Sequence, residues 1–134
     1  ATIALPIGPV RDARVPRHCI DQVDGRAAVT HYKTIRTFSD KYSLLELHPE
    51  TGRTHQLRVH LAAIGHPIAG DALYTMNDDD YLDYRCNPSP QAGLKRQALH
   101  SHQLQFLHPV HQKRCPLTAP LAADIEQFIQ EIRI

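Results

Sequence analysis

Apolar positions in this 134-residue chain recur first with the period of a strand and then with that of a helix. Residues 27 to 38, rich in Val, Thr, Tyr and Ile, predict a strand with Ala28, Thr30, Tyr32 and Thr34 on one face and Val29, His31, Lys33 and Ile35 on the other. Ser39 and Asp40 read as a turn, and residues 42 to 48, YSLLELH, follow closely enough to form an antiparallel hairpin. Leu57, Leu61 and Ile64 then fall at the i, i+4, i+7 spacing of a buried helical stripe. This predicts a helix from Thr54, its expected N-cap, to Ile64, with Gly65 in the left-handed position past its end and Pro67 forbidding continuation.

Residues 97 to 107, QALHSHQLQFL, alternate again, with Leu99, Ser101 and Gln103 facing one way and His100, His102, Leu104 and Phe106 the other. A short strand near Arg114 to Leu117 is placed to return as its partner, and residues 121 to 132 carry Leu121, Ile125, Phe128 and Ile132 on one side of a terminal helix. Two stretches lack such periods. Residues 1 to 26 read as an opening segment punctuated by Pro6, Gly8, Pro9 and Pro16, with a turn at Asp24-Gly25. Residues 75 to 96, acidic at Asp78, Asp79, Asp80 and Asp83 and broken by Pro88, Pro90 and Gly93, read as a variable surface loop. The order of elements predicts one α+β domain over residues 1 to 134, with a mainly antiparallel mixed sheet and flanking helices. Its parts are the opening segment, a hairpin, helix and turn over 27–74, the loop, and closing strands with the terminal helix over 97–134.

Hydrophobic residues make up 42% of the chain and charged residues 22%, ordinary globular values that exclude a disordered tail. No apolar run approaches the length of a membrane span and the first residues lack a signal-peptide pattern, so a cytoplasmic location with no membrane partner is expected. Cys19, Cys86 and Cys115 are too scattered for a disulfide framework or a thiolate metal site. His55 and His60 lie five residues apart, about 140° around a helix, whereas a zinc pair needs one face. No metal is therefore expected, and a histidine-dependent metal hydrolase would have to show tight zinc binding.

The net charge is only +1, yet residues 1 to 66 hold nine Lys/Arg against six Asp/Glu, while residues 67 to 134 hold six against eight. A nucleic-acid partner would therefore meet the first half, near Arg11, Arg14, Arg17, Arg53 and Arg58. The helix itself poses a further question. Each large residue of its stripe contributes roughly 1.5 to 3 kcal/mol on burial, so the stripe suffices to anchor it. His55, Arg58 and Ala62 share another face, with Arg53 at the helix entrance, and that face is where chemistry would sit.

The run LHPETGRTHQLRVHLAAIGHPIAGDALY resembles the motif of the RluA-type family of RNA pseudouridine synthases. GRAAVTHYKTI upstream, and ALHSHQLQFLHP and TAPLAADI downstream, resemble the family's flanking strands and terminal helix in order and spacing, so that the likeness covers most of residues 3 to 130. The resemblance implies isomerisation of uridine to pseudouridine in ribosomal or transfer RNA, without cofactor or metal, on a base flipped out of its stack. It implies that Arg58 pairs with a catalytic aspartate and that Leu99 lies against the substrate pocket; His55, on the spare helix face, is expected in the same pocket, and Arg53, Arg11, Arg14 and Arg17, from the charge of the first half, are expected to face RNA.

The departures from the family are equally specific. The aspartate sits in an H-R-L-D segment followed by a pocket tyrosine, and neither occurs here. Asp71, in the family's G-D-x-x-Y turn, reads as a structural cap, and Thr75 stands where a glycine often follows that turn. Ala1 and the lone Met76 fit either a piece of a longer protein or removal of an initiator methionine. The expectation is the carboxy-terminal part of a catalytic domain, inactive alone, with Arg58 awaiting a carboxylate from a missing amino-terminal half. An unpaired sheet edge there would favour homo-oligomers. The alternative is a non-catalytic RNA-binding module that keeps the fold.

Overall fold

A computed structural model describes residues 1–38 and 41–133; the turn expected at Ser39 and Asp40 lies outside the described residues. The α+β class and the antiparallel pairing are as expected, but the strands of the described residues divide into three small sheets. The first has the order β1-β4-β5, where β1 is Thr2–Ala4, β4 Val29–Phe38 and β5 Tyr42–Pro49. The β4–β5 hairpin runs from Thr30 opposite Pro49 to Phe38 opposite Tyr42, with a register shift between Thr34 and Arg36. That irregularity occurs at Ile35, which is half exposed, while Ala28 and Thr30 face inward and are fully buried.

The opening segment is more ordered than its prolines suggest. Besides β1 it holds β2, Ile7–Pro9, and β3, His18–Ile20, paired antiparallel from Ile7 opposite Ile20 to Pro9 opposite His18. Strands of three residues are too short to show a period, which is why alternation does not reveal them. The expected turn is present, closed by the Gly25 N–H on the Asp21 carbonyl at 3.1 Å.

Helix α1 spans Gln56–Ala63, and its N-cap lies one residue later than expected. Thr54 is not its N-cap; His55 holds that position in a left-handed conformation, φ 57°, with no side-chain cap. The end conforms to expectation. Gly65 is left-handed at φ 80°, and the amides of Gly65 and His66 donate to the carbonyls of Ala62 and Leu61, closing a Schellman motif. The buried face also differs from the predicted stripe: Val59 and Leu61 are buried together with polar Gln56 and His60, while Leu57 and Ile64 are only partly covered.

Gln56 and His60 are admitted to the interior because every polar atom on them finds a partner. Gln56 Nε2 donates to the Val29 carbonyl (2.9 Å) and Thr30 Oγ1 (3.0 Å), while its Oε1 accepts from Thr51 Oγ1 (2.7 Å) and the Arg53 N–H (3.0 Å). His60 Nε2 donates to the Leu5 carbonyl at 2.9 Å, which leaves Nδ1 to accept from the Thr30 hydroxyl at 2.9 Å. Helix, sheet and opening segment are thus bonded through one fully satisfied polar network.

Residues 75 to 96, expected as a loop, contain helices. Short α2, Ala72–Thr75, runs into the region, and α3, Asp78–Cys86, follows. The acidic run is the beginning of α3: Asn77 caps it by accepting from the Asp80 N–H at 2.9 Å, and Asp78, Asp79 and Asp80 occupy the first turn, where carboxylates favour the positive end of the helix. Residues 97 to 102 are irregular, and the expected third strand is confined to β6, Gln103–Leu107, paired with β7, Arg114–Thr118. Leu104 and Leu117 are directly opposite on this hairpin and more than half exposed. Terminal helix α4, Ala123–Glu131, buries Ile125, Phe128 and Ile129 in a cluster with Phe38, Tyr42 and Leu44 or beside it.

Gln56→Ala should destabilise the chain by about 2 to 4 kcal/mol, because each buried group left unmatched costs about 1 to 3 kcal/mol. Urea unfolding measures this; a loss under about 1 kcal/mol would show that the network is not what secures α1.

Candidate active site

The polar face of α1 opens onto the connection between α1 and α2. Arg58 leaves the first turn of α1 and meets Asp71, in the residue before α2, side-on: Nε reaches Oδ2 at 2.8 Å and Nη2 reaches Oδ1 at 2.7 Å. This is the two-bond geometry in which a guanidinium binds a carboxylate best. The Asp71 side chain is 1% exposed and that of Arg58 14%, so the pair runs from the interior toward the surface. Gly70, just before Asp71, lets the chain turn tightly under the backbone of residue 96. It is left-handed at φ 76°, and a Cβ there would come within 2.3 Å of the Arg96 carbonyl.

One expectation is corrected by this geometry, and Arg58 gains a partner that was not expected. Asp71 stands at the N-cap position of α2 but makes no side-chain cap; its carboxylate is turned to Arg58 instead, because a buried charge needs an opposite charge more than a four-residue helix needs a cap. Arg58 consequently has a carboxylate partner within the chain. Thr75 meets the family's glycine position without strain, ending α2 with its hydroxyl donating to the Asp71 carbonyl at 2.8 Å.

Tyr74 adds an aromatic wall. The Arg58 guanidinium carbon lies 4.9 Å from its ring centre. The Tyr74 hydroxyl accepts from the His18 backbone N–H at 3.2 Å, leaving its proton for His55 Nδ1 at 2.9 Å. The His55 ring meets Tyr74 edge-on at 5.7 Å and His18 at 5.9 Å. Burial, then the charge of Arg58 and the neighbouring His18 ring, hold the His55 imidazole below its ordinary value. Burial also pushes the Tyr74 phenol up, and the Asp71 hydrogen bonds raise Arg58 further, against the opposing effect of burial. The result is a fixed cation beside an imidazole biased toward its neutral form and a phenol biased toward keeping its proton.

His55 and Arg58 are therefore brought together, with Tyr74, Asp71 and His18 as members that periodicity did not reveal. The D-x-x-Y spacing was the available signal, since residues three apart on a helical turn share a side. Leu99 is not among the contacts of this group; partly covered, it packs against the cluster of Ile3, Leu61 and Ile68. Arg53 Nε donates to the Ala27 carbonyl at 3.0 Å. Arg11 pairs with Asp24, Arg14 with Asp79 at 2.6 Å, and Arg17 with Asp78 and the Met76 carbonyl, so the acidic start of α3 gathers two of the arginines expected to face RNA. Among the described residues no group of three His, Cys, Asp or Glu is placed to hold a metal ion.

A family model described as RNA pseudouridylate synthase matches residues 1–63. An uncharacterized RNA pseudouridine synthase of Chloroflexus aurantiacus is 41% identical over 132 residues, 98% of this chain and 37% of that protein. Ribosomal large subunit pseudouridine synthase D of Xanthomonas campestris pv. campestris is 38% identical over 97% of this chain and 41% of its own length. The solved structure of human RNA Pseudouridylate Synthase Domain Containing 1 superposes with a TM-score of 0.65 at 26% identity, covering 99% of this chain and 59% of that one.

The chain belongs to the RluA-type family of RNA pseudouridine synthases. It spans less than half the length of these curated synthases. The stretch matched by the family model contains His18, His55 and Arg58, while Asp71 and Tyr74 lie beyond it on the turn that completes the cluster.

The His55 imidazole should titrate below the ordinary 6.5, as followed by its ring nitrogens in NMR. Because the folded value is depressed, the stability this imposes is full above 6.5 and is lost as pH falls through the folded value. Replacing His55 by Gln should flatten that part of the stability profile; a His55 titration at or above 6.5 would contradict the arrangement.

Proposed function

We propose that this chain carries the arginine side of the active cleft of an enzyme that isomerises uridine to pseudouridine in ribosomal or transfer RNA. Family membership sets the reaction class, and the observation that carries the assignment to a site is the bidentate, half-interior Arg58 beside His55 and Tyr74. In the proposed reaction a catalytic aspartate, contributed by residues outside this chain, starts cleavage of the bond between the ribose C1′ and uracil N1. The freed base rotates, C5 bonds to C1′, the C5 proton is released and N1 takes up a proton, so that atoms balance with no cofactor. Arg58 supplies the fixed positive charge that keeps the aspartate ionised in a dry pocket. His55 and Leu99 are assigned to the base pocket, and Arg11, Arg14, Arg17 and Arg53 to the RNA-facing side. The 134 residues alone are expected to be inactive.

In the complete reading frame that encodes these residues, Arg58→Ala should lower tritium release from 5-tritiated uridine in RNA by about 10- to 100-fold, the equivalent of one lost charge-assisted interaction. Arg58→Lys should recover little of it, since an ammonium cannot make both bonds. Near-normal turnover in Arg58→Ala would remove this role.

A further inference from the structure

A guanidinium presents five donors in a planar fork. Asp71 takes the Nε–H and one proton of Nη2, which leaves the second proton of Nη2 and one proton of Nη1 side by side along the end-on edge. That edge can make a second two-bond contact with a carboxylate. Asp71 is locked in the interior, whereas Arg58 retains exposure, so the committed edge is the inner one. The Tyr74 ring covers one face of the fork at 4.9 Å. Of the rotamers open to a long arginine, this pairing and this stacking select one.

We infer that Asp71 is a positioning residue for the reaction: it clamps Arg58 side-on so that the end-on edge is presented, already oriented, to the catalytic aspartate, one guanidinium serving two carboxylates. The inference rests on the proposed role of Arg58. It differs from a purely structural role, in which the pair only ties α1 to α2, because it requires the location of the guanidinium, and not merely its charge, to govern turnover. Misplacing a catalytic contact by about 1 Å costs up to about 10²-fold.

The test uses the complete reading frame and compares Asp71→Asn in the wild-type and Arg58→Ala backgrounds, with kcat, KM and thermal melting measured for each. Asp71→Asn should lower kcat at least tenfold while KM stays within about twofold, and it should add nothing once Arg58 is alanine. An equal factor in both backgrounds would show that Asp71 acts independently of Arg58 and would overturn the inference. So would an unchanged kcat in Asp71→Asn when Arg58→Ala is impaired. If Arg58→Ala itself is near normal, the proposed role of Arg58 fails instead, so the two failures are distinct. Should Asp71→Asn not fold, Asp71→Glu keeps the ion pair but moves it by a methylene. A reduced kcat in the folded Asp71→Glu protein supports positioning, and a wild-type kcat overturns it.

Discussion

The rotational setting of α1 decides everything that follows from it. Gln56 and His60 are locked to β4 and the opening segment by bonds that leave none of their polar atoms unmatched. A purely apolar stripe tolerates some rolling, since hydrophobic contact has no direction. Hydrogen bonds do not. Arg58 lies two residues after Gln56 and two before His60, and two residues turn a helix by about 200°. Fixing the two flanking residues inward therefore aims Arg58 away from the sheet, toward the Gly70–Asp71 turn. The polar network that secures the fold is also what orients the candidate catalytic group.

This explains which parts of the structure were legible in the sequence. The β4–β5 hairpin, the β6–β7 hairpin and α4 are long enough, or patterned enough, for period to reveal them. Gly65 and Pro67 announced the end of α1 because the left-handed residue and the missing amide are properties of single side chains. The start of α1 was displaced since Thr54 is a good cap by type, yet the Gln56 amide it would have capped already donates to the Arg53 carbonyl at 3.0 Å. Aspartates 78 to 80 looked like loop because charge says nothing of period; only with Asn77 as the cap do they become a first turn.

The site was legible in part for a similar reason. Arg58 and His55 stood out as polar residues that α1 does not require. Their partners come from other elements, Tyr74 and Asp71 from the turn before and within α2 and His18 from β3, and a contact between elements leaves no mark on periodicity. Asp71 was assigned a local task, capping, when its carboxylate serves a residue thirteen positions earlier.

Two of the ion pairs in this part of the chain contrast with Arg58–Asp71 in exposure. Arg11–Asp24 and Arg14–Asp79 have both side chains more than half exposed, where a pair contributes about 0 to 1 kcal/mol and is screened by salt. A competing anion displaces such a carboxylate at small cost, so the self-neutralised charge of this surface remains available to a polyanion. Arg58–Asp71 is the opposite case. Its carboxylate has no access to solvent, and losing the arginine would strand a buried charge at about 3 to 5 kcal/mol. The pair adds little to net stability over an apolar substitute, but it holds one geometry. Exchangeable cations suit a substrate that must arrive and leave, and a captive cation suits a reaction centre whose charge must stay in place.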